Sequence, residues 1–317
     1  MNAKLLWTIV KEAGSQWLAD KAPRLGAALA YYTIFSIAPL LVISIGVAGL
    51  IFGKEAAQGQ ITGQVEHLVG RQGGEAVQAM LTSASEPGKG IVGTLIGIGM
   101  LIFGAANLFA QLQDALNTVW EVQPKASRGI LGLIRDRFLS FSMVLGVAFL
   151  LLLSLIVSSA LAAIGELFGD WRTSVIGQTI TTIVDLLVIT VLFALIYRFL
   201  PDAKIAWRDV WFGAGLTAVL FTIGKILIGI YLGRAGVASA YGAAGSLAVL
   251  LVWLYYASQI FLFGAELTKT YAKHLGTRIQ PKDHAELVTA EARAQQGLAP
   301  IKPSKDQEEG RQIEASH

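Results

Sequence analysis

Two charges stand inside long apolar runs of this chain: Asp185 and Lys225. A third ionisable group, Glu266, closes a stripe formed with Ala248, Tyr255, Gln259 and Leu262, at spacings of seven, four, three and four residues. Those spacings place all five residues on one face of a helix. Carboxyl, ammonium, phenol and amide groups gathered in an apolar setting can hold the polar part of a substrate or relay a proton. A charge left alone in hydrocarbon costs several kcal/mol, so such groups should face protein or a water-filled cavity. Asp185, Lys225, Tyr255, Gln259 and Glu266 are therefore the candidates for a substrate or proton pathway. A structural role is the alternative. Asp185 and Lys225 are expected at depths that differ by roughly 5 Å, within a lysine's reach, so they could pair and lock two helices. Lys225 could instead extend to the outer interface, and Glu266 could bridge to Arg198 or Lys269.

Other chemistry finds little support. Cysteine is absent, which removes disulfides, thiolate metal sites and a cysteine nucleophile. The four histidines, His67, His274, His284 and His317, are scattered with no HxxxH or HExxH spacing. No GxxxxGK[ST] loop offers a nucleotide site, and no metal or cofactor is expected. The net charge of +3 and the lack of a basic, aromatic-interleaved patch argue against a nucleic-acid partner. The chain is expected to have no enzymatic activity.

The elements that must position these groups are membrane spans. Of the 317 residues, 54% are hydrophobic and 15% charged, against about 25% charged in a soluble domain. From Leu247 to Ala265 no residue is charged, a run of roughly 30 Å that matches a bilayer core. The sequence predicts an all-α polytopic membrane protein with six transmembrane helices, at about 25–52, 91–109, 138–164, 175–199, 210–232 and 247–269. Residues 1–24 form an amphipathic cytoplasmic or interfacial segment, with Leu6, Ile9, Val10, Ala13 and Trp17 on one face. Residues 25–270 form the transmembrane domain. The Gly-broken stretch Gly53–Gly90 is expected to form a small helical extracytoplasmic cap of two short helices, around Ile61–Val69 and Ala76–Leu81. Residues 271–317 are a cytoplasmic tail, helical over His284–Gln296 and disordered beyond about residue 297. Pro39 should kink the first span, and Pro39, Gly242 and Gly245 are the hinge candidates. No cleaved leader is expected at the N-terminus. Fifteen lysines and arginines between Lys4 and Lys282 fall on segments assigned inside. Lys54, Arg71, Lys89, Arg172 and Arg234 fall outside, which selects both termini in the cytoplasm.

Three stretches carry a family resemblance: AALAYYTIFSIAPLL at Ala27–Leu41, YRFLP at Tyr197–Pro201, and YGAAGS followed by WLYYASQIFLFGAELT at the end of the last span. Together they resemble the YihY/BrkB family of bacterial inner-membrane proteins, over about Lys21 to Thr270. The resemblance implies six spans and an inner-membrane location. Members have carried the labels "ribonuclease BN" and "virulence factor", and related proteins are linked to lipid or lipopolysaccharide transport. The expected function is a transporter or translocase of a lipid or amphipathic solute in the cell envelope. The alternative is a non-catalytic scaffold that binds an envelope partner through the cap. Membrane lipids are the expected partners, a homo-oligomer is left open, and the lack of a metal or base cluster speaks against ribonuclease activity.

Overall fold

The computed structural model describes residues 3–85, 99, 107–125, 175–234, 245–276 and 279–298. The expected spans over 91–109 and 138–164 lie almost wholly outside them, as does Gly242. Three of the described helices are long and apolar enough to cross a membrane: Thr179–Phe199, Trp207–Ile228 and Gly245–Leu275. A fourth joins them if the bent helix at the start of the chain counts as one span.

The first helix, α1 (Ala3–Ala19), buries Ile9 and Ala13 against Leu267 and leaves Trp7 and Leu18 exposed. It therefore packs on the bundle and still presents an apolar edge outward. A two-residue break leads into α2 (Ala22–Phe52). Lys21 adopts a left-handed conformation there, at φ 52° and ψ 38°. Pro23 sits in the first turn, where a missing N–H removes no helical bond. Farther on, the segments Ala22–Ala38 and Leu40–Gly46 meet at 41°. The bend falls at Pro39, where a mid-helix proline leaves the backbone without a donor.

The next element, α3 (Lys54–Ser85), is helical along its length yet turns back on itself. Thr62 donates a hydrogen bond to Gln78 at 3.2 Å, although sixteen residues of straight helix would hold them roughly 24 Å apart. A Cβ at Gly74 would touch Glu66 at 3.1 Å, so the reversal lies between those two residues. The two expected short helices are the two arms of this hairpin. Ala57 and Ile61 from one arm and Ala76, Val77 and Leu81 from the other pack on Ile34, Leu41 and Ile45 of α2. They also meet Leu250 and Leu254.

Residues 107–119 form helix α4, which carries Leu116 and Val119 into the core, followed by strand β1 (Val122–Pro124). Then come α5 (Val175–Phe199), strand β2 (Ala203–Lys204), α6 (Trp207–Arg234) and α7 (Gly245–Leu275). Helix α7 is the centre of the bundle and packs against α1, α2, α3 and α6. Gly264 lets it approach α6 and α5 closely, because a Cβ there would collide with the hydroxyls of Thr217 and Tyr197. Tyr197, fully buried, donates to the Phe261 carbonyl at 2.7 Å. This bond ties the YRFLP stretch to the middle of α7.

The tail departs from the expectation. Its helix, α8, covers only Ala290–Gln295, and the residues before it are extended. Strand β3 (Gln280–Pro281) pairs antiparallel with β2, and β4 (Ala285–Leu287) pairs antiparallel with β1. Backbone donors and acceptors of two connectors claim residues 280–287, so a helix cannot start until Thr289. Its hydroxyl accepts from Ala292 N at 3.2 Å and caps α8. The mostly helical fold thus carries two short strand pairs, which make the tail a clasp across the ends of α4, α5 and α7.

Candidate functional site

The clasp closes over a cluster of buried charges. Asp20, from the α1–α2 break, is 2% exposed, and Glu266, on α7, is 0% exposed. One helical turn past Glu266, Lys269 Nζ lies 2.8 Å from Glu121, 3.9 Å from Asp20 Oδ2 and 3.9 Å from Glu266 Oε2. Arg293 reaches in from α8 and donates to Asp20 Oδ1 at 2.5 Å. Its side chain is only 4% exposed. Two anchoring residues of this cluster sit at unusual backbone positions. Lys21, next to Asp20, and Glu121 itself have φ of 52° and 56°. A non-glycine residue in this region carries a cost of roughly 1–2 kcal/mol, which the surrounding contacts must offset. The left-handed turn at Lys21 ends α1 and starts α2 with Asp20 in the corner.

Three carboxyls, Asp20, Glu121 and Glu266, face two cations, Lys269 and Arg293. Both oxygens of Glu266 and Oδ2 of Asp20 are buried without a hydrogen-bond donor. Trp17 Nε1, Trp120 Nε1 and Thr270 Oγ1, on residues within three positions of Asp20, Glu121 and Lys269 in the chain, are also buried without a partner. Buried polar atoms in folded proteins are almost always paired, so this concentration marks the cluster out. Among the described residues, no group of three or more His, Asp or Glu side chains is arranged to hold a metal ion.

A second network lies beside it. Asp202, directly after YRFLP, receives Asn117 Nδ2 at 3.0 Å, and its own backbone N–H donates to Asn117 Oδ1 at 2.8 Å. Gln113 and His284 reach the other carboxylate oxygen at 3.2 and 2.9 Å. On the surface, Asp283 pairs with Lys204 at 2.6 Å, and this bond holds its carboxyl below the usual range. Glu12 on α1 binds Lys273 and His274 at 2.8 and 2.7 Å. Burial would raise its pKa, but the two partners outweigh burial and lower it.

The sequence-derived candidates fall into two groups. Glu266 belongs to the cluster and has Lys269, not Arg198, beside it. Arg198 instead lies over the Trp207 ring at 5.5 Å. Gln259 is packed against Gly26, where a Cβ would collide with its amide, and both polar atoms of that amide lack a partner. Tyr255 is exposed, and Gly245 is buried at the start of α7. Asp185 and Lys225 are half-buried, and no ion pair joins them among the described residues. Leu186 packs into the core and Gly224 meets Tyr256 and Ile260. Each charge is one residue away from such a packing position, about 100° of rotation off the packing line. Asp20, Glu121, Arg293, Asn117, Asp202 and His284 were not singled out from the sequence as site residues. The one local signal was an acidic residue immediately before or after a span in a segment otherwise rich in lysine and arginine.

Bundled apolar helices with buried polar clusters at their ends define a helical integral membrane protein. The family model described as Virulence factor BrkB matches residues 13–288, and the chain belongs to that family. Among relatives, a UPF0761 membrane protein of Pseudomonas paraeruginosa is 29% identical over 255 residues, covering 80% of this chain and 60% of the relative. One from Azotobacter vinelandii is 26% identical over 253 residues, covering 80% and 60%. One from Psychromonas ingrahamii is 29% identical over 255 residues, covering 78% and 82%. The chain thus spans about 60% of the length of the first two. No solved structure matches.

Proposed function

We propose that this protein is a non-enzymatic transporter or translocase of a lipid or amphipathic solute in the bacterial inner membrane. In this reading it has six spans, both termini in the cytoplasm, and the α3 hairpin on the outer side. The observation that carries the reading is the pair of half-buried charges, Asp185 and Lys225, placed within spans without bonding to each other. Such charges need water or a polar occupant at membrane depth. The bend at Pro39 and the unpartnered Gln259 amide add to it, since both are features of a helix packing that can rearrange.

The cysteine-free chain makes the test direct. Asp185→Cys, Lys225→Cys and Gln259→Cys are expected to react with a membrane-impermeant thiol reagent, because only a hydrated thiol ionises readily. Leu187→Cys and Leu227→Cys, both at positions 58% exposed on span surfaces, should stay unlabelled in lipid. Failure of all three pathway positions to react removes the aqueous route. Proteoliposomes holding a headgroup-labelled phospholipid then read translocation itself. Reporter fusions after Lys125 and Lys204 should report cytoplasm, and those at Gln72 and Gly169 the outside.

A scaffold is the second reading. The α3 hairpin favours it, because its inner faces pack on α2 and α7 while Glu55, Glu66 and Glu75 stay exposed for a partner. A protein whose pathway positions are dry, and which is inactivated by changes at those three glutamates, would fit this reading instead.

A further inference from the structure

We propose that the buried cluster under the tail is a proton-binding site: Glu266 carries a proton, donates it to Asp20 Oδ2, and the shared proton holds the clasp shut. The inference is independent of what the protein transports.

Three observations carry it. The first is charge. Among the described residues, the charged groups facing Glu266 are Asp20 from the α1–α2 break, Glu121 from the α4–β1 turn and Lys269 from α7 itself, with Arg293 of α8 behind Asp20. Fully ionised, these groups and Glu266 leave one negative charge in excess around a Glu266 that is itself fully buried. One added proton makes the cluster neutral, and an uncompensated buried charge is the costly alternative.

The second is hydrogen bonding. The carboxyls of Glu266 and Asp20 converge on one ammonium, Glu266 Oε2 and Asp20 Oδ2 each lying 3.9 Å from Lys269 Nζ. As two carboxylates they offer only acceptors, which is why Glu266 Oε1 and Oε2 and Asp20 Oδ2 all stand without a donor. A single proton on Glu266 supplies an O–H···O⁻ bond, among the stronger kinds, and pairs both residues at once. Among the described residues no other group donates to these three oxygens. Lys269 already holds Glu121 at 2.8 Å and stays at 3.9 Å from either carboxyl.

The third is position. Asp20 is gripped from one side by Arg293 of the tail and faces Glu266 of the central helix on the other. When the proton leaves for bulk water, two carboxylates confront each other across this contact. The repulsion falls on the corner that Arg293 clamps. The closed clasp binds one proton more than the open one, so closure is favoured as pH falls and opening as pH rises.

Leu298 provides the reporter. It is 8% exposed, and its N–H bonds to the Arg293 carbonyl at 3.0 Å. In the cysteine-free chain, the labelling rate of Leu298→Cys is divided by that of the exposed Ala294→Cys, which cancels the ionisation of the thiol. The ratio should climb as the pH rises, by up to about tenfold per pH unit, the limit for release of one proton. Glu266→Gln keeps a donor toward Asp20 at every pH, so in that background the ratio should stay low and flat. A flat wild-type profile, or a Glu266→Gln profile that follows the wild type, overturns the proposal. If Glu266→Gln does not accumulate, the wild type still decides. Infrared spectra of the folded protein at neutral pH should contain a protonated-carboxyl band that moves on ¹³C-glutamate labelling. A folded sample without that band refutes the shared proton.

Discussion

The molecule treats its buried charges in two ways. At the terminal end, Asp20, Glu121, Glu266, Lys269 and Arg293 come from four separated parts of the chain and form one closed cluster. Within the spans, Asp185 and Lys225 lie on neighbouring helices, each turned off the packing line, and do not meet. The contrast teaches what each region is for. Charges that close on one another across distant segments act as a fastening, because removing one strands the rest. Charges at membrane depth that make no ion pair among the described residues are, in the proposed reading, the ones available to an incoming solute. Stability should therefore depend on the first set and activity on the second.

The sharpest break of that contrast is Asp20→Ala. It leaves the Arg293 guanidinium buried with its main anion gone, and the loss should reach about 3–5 kcal/mol, measured as unfolding in detergent. A loss below about 1 kcal/mol would mean that the cluster is open to water. Next comes Asn117→Ala, which deprives the Asp202 carboxylate and backbone N–H of reciprocal partners at 3.0 and 2.8 Å. It should cost about 1–3 kcal/mol. A limited-proteolysis site appearing within residues 279–298 would be the accompanying sign. In contrast, Asp185→Asn and Lys225→Met should accumulate as the wild type does, within about 0.5 kcal/mol, while reducing the proposed transport. A large folding defect in either would place that charge among the fastenings. The smallest effect is at Glu12. Its folded-state pKa lies below the ordinary 4.5, so its contribution is complete above that value and fades as the pH falls through the folded value. The change should stay under about 1 kcal/mol because the group is partly exposed. Glu12→Gln should flatten this acid limb without altering the neutral-pH baseline by more than that.

How much of this the sequence disclosed depends on the range over which residues interact. The central helix was legible because an uncharged run of bilayer length is rarely built for anything but a membrane. The bend at Pro39 and the two arms of α3 followed from a missing donor and from glycine breaks. The neighbourhood of Glu266 and Lys269 was visible because the two residues stand one helical turn apart. Asp20 and Arg293 are 273 residues apart, and no helical or strand period reaches that far. The tail misled for a related reason. Its strands are two and three residues long, shorter than any window in which alternation can be recognised. Their pairing with β1 and β2 is decided by what the connectors leave unbonded.

The separation of Asp20 from Arg293 also bears on how the protein is made. Asp20 leaves the ribosome 273 residues before its cationic partner, an interval of roughly 14–55 s at ordinary synthesis rates. Throughout that time α1 and the first span are already present, but their corner carboxylate lacks the arginine that will hold it. The clasp is thus made after helices α1–α7. Chains that stop short of residue 293 lack the arginine that fastens this corner.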